Sequence, residues 1–175
     1  MQDLSIFNES FLIIGGPNTN KSEVSRLLAK SLNFKLINLD REKHQYFNDF
    51  TEYDFSIYQK LRDGNEIKAL NYIHKYEMRH LEYVIDNISD NVVIDFGNTY
   101  TLIDDEKILN KIKMFKNIIL LEDEDNLNKD NSLKNKLYRN KVNYDIATMK
   151  VNIKNKDSKR IVKDILKKYE FKDIL

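Results

Sequence analysis

The chain has 175 residues, of which 33% are charged, and its 29 basic and 28 acidic side chains leave a formal net charge of +1. Near-cancelling charge argues against a general pull on nucleic acid. The lack of cysteine excludes a disulfide framework, thiolate catalysis and cysteine metal sites, and fits a reducing, cytoplasmic setting. The longest apolar runs, such as residues 11–14, fall far short of the roughly 20 residues that span a bilayer, and the polar N-terminus carries no signal-peptide pattern. No membrane segment is expected.

Residues 11–14 (Phe-Leu-Ile-Ile) run into Gly15-Gly16-Pro17, the pattern of a buried strand delivered into a turn. Val24, Leu27, Leu28 and Leu32 then recur at three and four residues, predicting an amphipathic helix over 22–32, with a second strand over 34–39. Residues 41–64 hold Tyr46, Phe47, Phe50, Tyr53, Phe55 and Tyr58 without a clean period; they read as helical pieces whose rings are core and cover, ending at a break near Gly64. A long helix over 67–88 precedes a third strand, 92–94. A helix over 103–115, a strand over 118–121, a helix over 132–143 and a strand over 150–153 follow. The closing helix is capped by Asp157 or Ser158 and buries Ile161, Val162, Ile165, Leu166 and Tyr169. Strands alternating with helices throughout imply one domain over residues 1–175. Its fold class is α/β, a three-layer α/β/α P-loop NTPase fold around a five-stranded parallel sheet.

Between the first strand and first helix lies Gly15-Gly16-Pro17-Asn18-Thr19-Asn20-Lys21-Ser22. It matches the Walker A pattern at every required position except the second glycine, where Asn20 stands. In such a loop the backbone N–H groups and the helix N-terminus surround a phosphate, the lysine neutralises phosphate charge and the hydroxyl helps bind Mg²⁺. Gly15, Gly16, Asn18, Thr19, Asn20, Lys21 and Ser22 are therefore the candidate nucleotide contacts. Asparagine is among the few non-glycine residues that visit the left-handed backbone region readily. The bland alternative is a strand-to-helix turn with Lys21 in solvent.

In this order and spacing the chain resembles shikimate kinase. Residues 11–32 look like that family's first strand, P-loop and first helix, and Asn38-Leu39-Asp40 sits where the family has an Asp-x-Asp pair. Arg79-His80-Leu81-Glu82 matches its Arg-x-x-Glu, Gly97-Asn98-Thr99 stands at its three glycines, and Arg139 falls at a second carboxylate-binding arginine. The resemblance implies ATP and Mg²⁺ as cofactors, and nucleotide plus small molecule as partners. It also implies that Asp40 grips a substrate hydroxyl while Arg79, Gly97 and Arg139 bind the substrate. Departures accompany it. Asn20 replaces a glycine, Asn38 an aspartate, and only Gly97 remains of the three glycines. No arginine or proline lies between Leu121 and Arg139, where the family has its lid; Lys129, Lys134 and Lys136 are among the cations there.

Read singly, Asp95 ends a hydrophobic strand in the manner of a Walker B acid, a magnesium role shared with Ser22; its alternative is to cap a turn. Arg79 and Glu82 lie three apart on a helix, so the alternative to anion binding is a surface ion pair. For Asp40, beside a role as base or hydroxyl anchor, the alternative is a helix N-cap. His44, His74 and His80 show no metal-ligand spacing. The function expected is ATP-dependent phosphoryl transfer to a hydroxyl of a small anionic metabolite, with Lys21 and Asp40 catalytic. Two other readings stay open: a degenerate nucleotide-binding protein acting through a protein partner, and a nucleoside or nucleotide kinase.

Overall fold

The computed structural model describes residues 5–123 and 145–169. Five strands, β1 (Phe11–Gly15), β2 (Lys35–Asn38), β3 (Val92–Asp95), β4 (Asn117–Glu122) and β5 (Met149–Asn152), form one sheet in the order β2-β3-β1-β4-β5. Every pairing is parallel. The chain leaves central β1 for β2 on one side, fills the gap with β3, then crosses to β4 and β5. Such a reversal leaves a crevice at the carboxyl ends of the inner strands.

Both sheet faces are covered, which explains why the inner strands β1, β3 and β4 read as apolar runs, while the edge strands β2 and β5 keep exposed positions. On one face Leu12, Ile14, Ile94, Ile118 and Leu120 pack with Met78, Leu81 and Ile85 of α5 (Glu66–Asp86) and with Ile108 and Ile112 of α6 (Glu106–Ile112). On the other, Phe11, Ile13, Val93, Ile119 and Leu121 meet Val24 and Leu28 of α2 (Lys21–Leu32) and the closing helix α7 (Ser158–Lys168). Alternate residues of one strand thus feed two cores. Asp157 caps α7 by accepting from Arg160 N at 2.7 Å, and Ile161, Val162, Ile165 and Leu166 form its buried stripe, with Tyr169 partly buried beside them.

The aromatic stretch forms α3 (Leu39–Phe47) and α4 (Phe55–Gly64). Phe47 and Tyr76 are buried with Ile73 in a third cluster, against which Tyr46, Phe50, Tyr53, Tyr58 and Tyr72 pack. The break expected at Gly64 is made by Asn65, whose extended backbone ends α4 and whose side chain accepts from Lys68 N to start α5. The short helix α1 (Ser5–Glu9) was not expected: its buried anchor Phe7 meets Phe115 edge-on at 4.9 Å, and five residues are too few to show a period. The helix expected over 132–143 lies outside the described residues, as do Lys129, Lys134, Lys136 and Arg139. No described helix is long and apolar enough to cross a membrane.

Candidate active site

The loop between β1 and α2 holds the first group of functional side chains. Gly15 is required by close approach: a Cβ there would lie 3.0 Å from the Leu121 carbonyl and 3.0 Å from Thr19 Oγ1. Thr19 is buried and donates to the Gly16 carbonyl at 2.8 Å, tying the loop to itself. Asn18 and Asn20 both take left-handed backbone, with φ of 63° and 53°. Asn20 thus adopts a conformation that glycine would favour, and its exposed side chain caps nothing. The first N–H groups of α2 have no side-chain cap, which suits an anion. Ser22 is exposed at this same helix start.

Lys21 does not extend into solvent. It is 8% exposed, and its Nζ lies 3.3 Å from Oδ1 of Asp95, itself 2% exposed. Asp95 Oδ2 accepts a 2.6 Å hydrogen bond from Asn38 Nδ2. Asn38 and Asp95 are register partners at the ends of β2 and β3, and Asp95 is also opposite Ile13 of β1. A lysine, an acid and an amide from three neighbouring elements therefore meet at the carboxyl edge of the sheet. Asp95 does not cap a turn. Its Oδ1 accepts no hydrogen bond, so beyond the ion pair with Lys21 it keeps acceptor capacity. One such carboxylate with the Ser22 hydroxyl fits Mg²⁺, which takes few protein oxygens and keeps waters and phosphates as its other ligands.

Directly beyond Asp95 the chain passes Gly97, and Asn98 and Thr99 then line a cavity of about 350 Å³. Asp40 and Lys43 of α3 form one wall, Tyr58 and Arg62 of α4 another, and Ile73 and Glu77 of α5 a third. Asp40 Oδ2 accepts from Asn98 N at 3.2 Å. Gly97 is needed because a Cβ there would meet Asp40 Oδ1 at 2.5 Å. Asp40 is not the N-cap of α3: Asn38 fills that place by accepting from Arg41 N at 2.9 Å, which frees the Asp40 carboxylate for the cavity.

Lys43 Nζ reaches Asp40 Oδ1 at 3.0 Å and Glu77 Oε1 at 3.2 Å, and Thr99 Oγ1 donates to the same Oε1 at 2.6 Å. Burial lowers the Lys43 pKa, but the two carboxylates raise it by more, so the ammonium is held above the usual lysine range. Burial pushes Glu77 above the usual carboxylate range against the opposing pull of Lys43 and Thr99. Behind this network Tyr100 Oη pairs with His80 Nδ1 at 2.6 Å, and burial brings His80 down to about 4, leaving it neutral at pH 7.

No protein-family model matches the sequence, and no curated protein matches it. Solved structures match over nearly the whole chain. The shikimate kinase of Aquifex aeolicus vf5 is 22% identical with a TM-score of 0.61, over 92% of this chain and 96% of that one. The shikimate kinase of Acinetobacter baumannii, in complex with shikimate, is 13% identical with a TM-score of 0.64, over 99% and 100%. The YorR protein of Bacillus subtilis, in complex with phosphorylated GDP, is 21% identical with a TM-score of 0.55, over 92% and 95%.

The fold is that of shikimate kinase-like P-loop kinases. Within it Lys21, Asp95 and Asn38 meet beside the loop, and Asp40 lines the cavity with Gly97 packed against its carboxylate. Arg79 is not brought to the cavity. It stands about 200° round α5 from Glu77, pairs with the exposed Glu52 at 3.3 Å and lies over the Phe50 ring at 4.6 Å. Glu82 pairs instead with Lys107 and Lys111, so the spacing of Arg79 and Glu82 does not become a pair. The charged cavity-lining residues that no sequence pattern singled out are Lys43, Arg62, Glu66 and Glu77. The available signal was Glu77 itself, an acid set between the buried apolar residues Ile73, Tyr76, Met78 and Leu81 on one helix.

Proposed function

We propose that this chain is a cytoplasmic small-molecule kinase that moves the terminal phosphoryl group of ATP to a hydroxyl of a small, hydroxylated and anionic acceptor. The observation that carries this reading is the continuity of residues 95–99. They begin at the acid paired with Lys21 under the phosphate loop and end at the wall of the cavity that holds Asp40. Donor and acceptor sites thus share one short segment at the carboxyl edge of the sheet, where ligands bind in open α/β folds.

Bound ATP with Mg²⁺ supplies the transferable phosphoryl group and part of the neutralisation of its charge. Ser22 and Asp95 are the residues that would hold the metal, and residues 15–22 the phosphates. Lys21, already confined by Asp95, adds positive charge without long side-chain reorganisation. Asp40, fixed by Lys43 and Asn98 N, accepts the proton of the reacting hydroxyl and orients its oxygen. Arg62 on the cavity wall, with Arg139 as the resemblance implies, binds the acceptor's anionic group.

A nucleotide acceptor is less well supported: Tyr58 is the one ring that lines the cavity among the described residues, and a base is usually held between flat surfaces. A coupled assay of ADP release with shikimate, gluconate or GMP as acceptor tests the proposal. Release with a hydroxy acid supports it; release with GMP alone would favour the nucleotide-kinase reading.

A further inference from the structure

The face of α5 turned to the cavity carries Glu66, Ala69, Leu70, Ile73 and Glu77, one stripe at helical spacing. Of these Glu77 is 0% exposed. Its two carboxylate oxygens differ. Oε1 receives Thr99 Oγ1 at 2.6 Å and Lys43 Nζ at 3.2 Å, whereas Oε2 is buried and accepts no hydrogen bond. A buried acceptor left without a donor is destabilising until a donor reaches it. Lys43 and Thr99 fix the ring of contacts on one side only, which orients the carboxylate and leaves the second oxygen to be completed. The helix on one side of the cavity, α4, contributes no buried side chain and ends at the Gly64–Asn65 break.

We infer that Glu77 is a specificity-determining residue for the acceptor: Oε2 accepts a hydrogen bond from an acceptor hydroxyl other than the one that is phosphorylated. The inference rests on the kinase reading above and deepens it. The partner is a neutral hydroxyl and not an ammonium, because Lys43 already stands 3.2 Å from Glu77 Oε1 and Arg62 lines the same cavity, so a further cation would meet two positive charges. Asp40 takes the reacting hydroxyl at the end next to Asn98, and Glu77 reads a second one. The site therefore selects acceptors with at least two hydroxyls over monohydroxy acids of the same size. A site built to bond a hydroxyl rejects the analogue that lacks it, since the buried oxygen is then left unpaired.

The test compares shikimate with 3-hydroxycyclohexane-1-carboxylate on the full chain, by ADP release and by calorimetric binding of each acid without nucleotide. Wild type is expected to favour shikimate roughly 10- to 100-fold, the ratio of a hydrogen bond to a charged group. Glu77→Gln should lose most of that ratio through KM for shikimate, with thermal unfolding checking its fold. Thr99→Val keeps the carboxylate but loosens it, and should lower the ratio by a smaller factor. Turnover with neither acid, together with shikimate binding that Glu77→Gln loses, would defeat the kinase reading and leave this inference standing. Equal treatment of the two acids by wild type, an unchanged ratio in both variants, or binding of neither acid would overturn it.

Discussion

Asn38 donates a 2.6 Å hydrogen bond to Asp95 across the neighbouring ends of β2 and β3. The acid that the shikimate kinase resemblance places at position 38 is present here one strand over, at its register partner. The negative charge beside the loop is thus supplied by β3, and it is this charge that holds Lys21 out of solvent.

Removing that charge should be costly. Asp95→Asn leaves the buried Lys21 ammonium unpaired, and the loss is expected at about 3–5 kcal/mol. The paired exchange Asn38→Asp with Asp95→Asn returns a carboxylate to the same spot and should recover more than half of the stability. Chemical denaturation of the three proteins checks this; an exchange variant no more stable than Asp95→Asn would contradict it.

The departure at position 20 should be mild. Asn20 sits at φ 53° and ψ 24° with no capping bond, so Asn20→Gly is expected within about 0.5 kcal/mol of wild type. Asn20→Val forces a β-branched side chain into left-handed backbone and should cost about 1–2 kcal/mol. Thermal unfolding separates the two.

At the cavity, Gly97→Ala drives a Cβ against Asp40 Oδ1 and the Tyr100 ring, at 2.5 Å and 2.6 Å if nothing moves. Displacement of the Asp40 carboxylate should lower turnover by about 100-fold, since misplacement by an ångström has that effect. Nucleotide affinity, set at the other end of residues 95–99, should change little. Steady-state kinetics with calorimetry reads both.

His80 makes stability depend on pH. Its folded pKa of about 4 lies below the unfolded value of 6.5, so neutral histidine is favoured by folding. The contribution is fully present above pH 6.5 and is lost as pH falls through 4, by up to about 3 kcal/mol. Glu77 works in the opposite sense, because its folded pKa is raised. His80→Gln should flatten the loss of stability between pH 6.5 and 4, and urea midpoints across that range measure it.

The phosphate loop was legible because a buried strand, two glycines, Lys-Ser and a helical stripe occur in immediate succession, each constraining the next. The inner strands β1, β3 and β4 were legible because burial on both faces writes an apolar run, whereas the edge strands β2 and β5, with exposed lysines at Lys35 and Lys150, were legible from their place between helical stretches. Helix rotation was not legible at α5. Arg79 matched a spacing, but the side chain turned to the cavity is Glu77, and only the packing of Ile73, Tyr76 and Leu81 fixes which of the two faces inward. Asp40 was read equally as cap or site residue because both need an acid after a strand; Asn38, two residues earlier, takes the cap. Short α1 escaped because a helix held by Phe7 against Phe115 is specified by tertiary contact, which no local pattern carries.

The most direct test of the account is calorimetric titration of ATP, with and without Mg²⁺, into wild type and Lys21→Ala. Wild type is expected to bind ATP, more tightly with Mg²⁺, and Lys21→Ala to bind about 10-fold or more weakly; no binding by wild type would contradict the kinase reading.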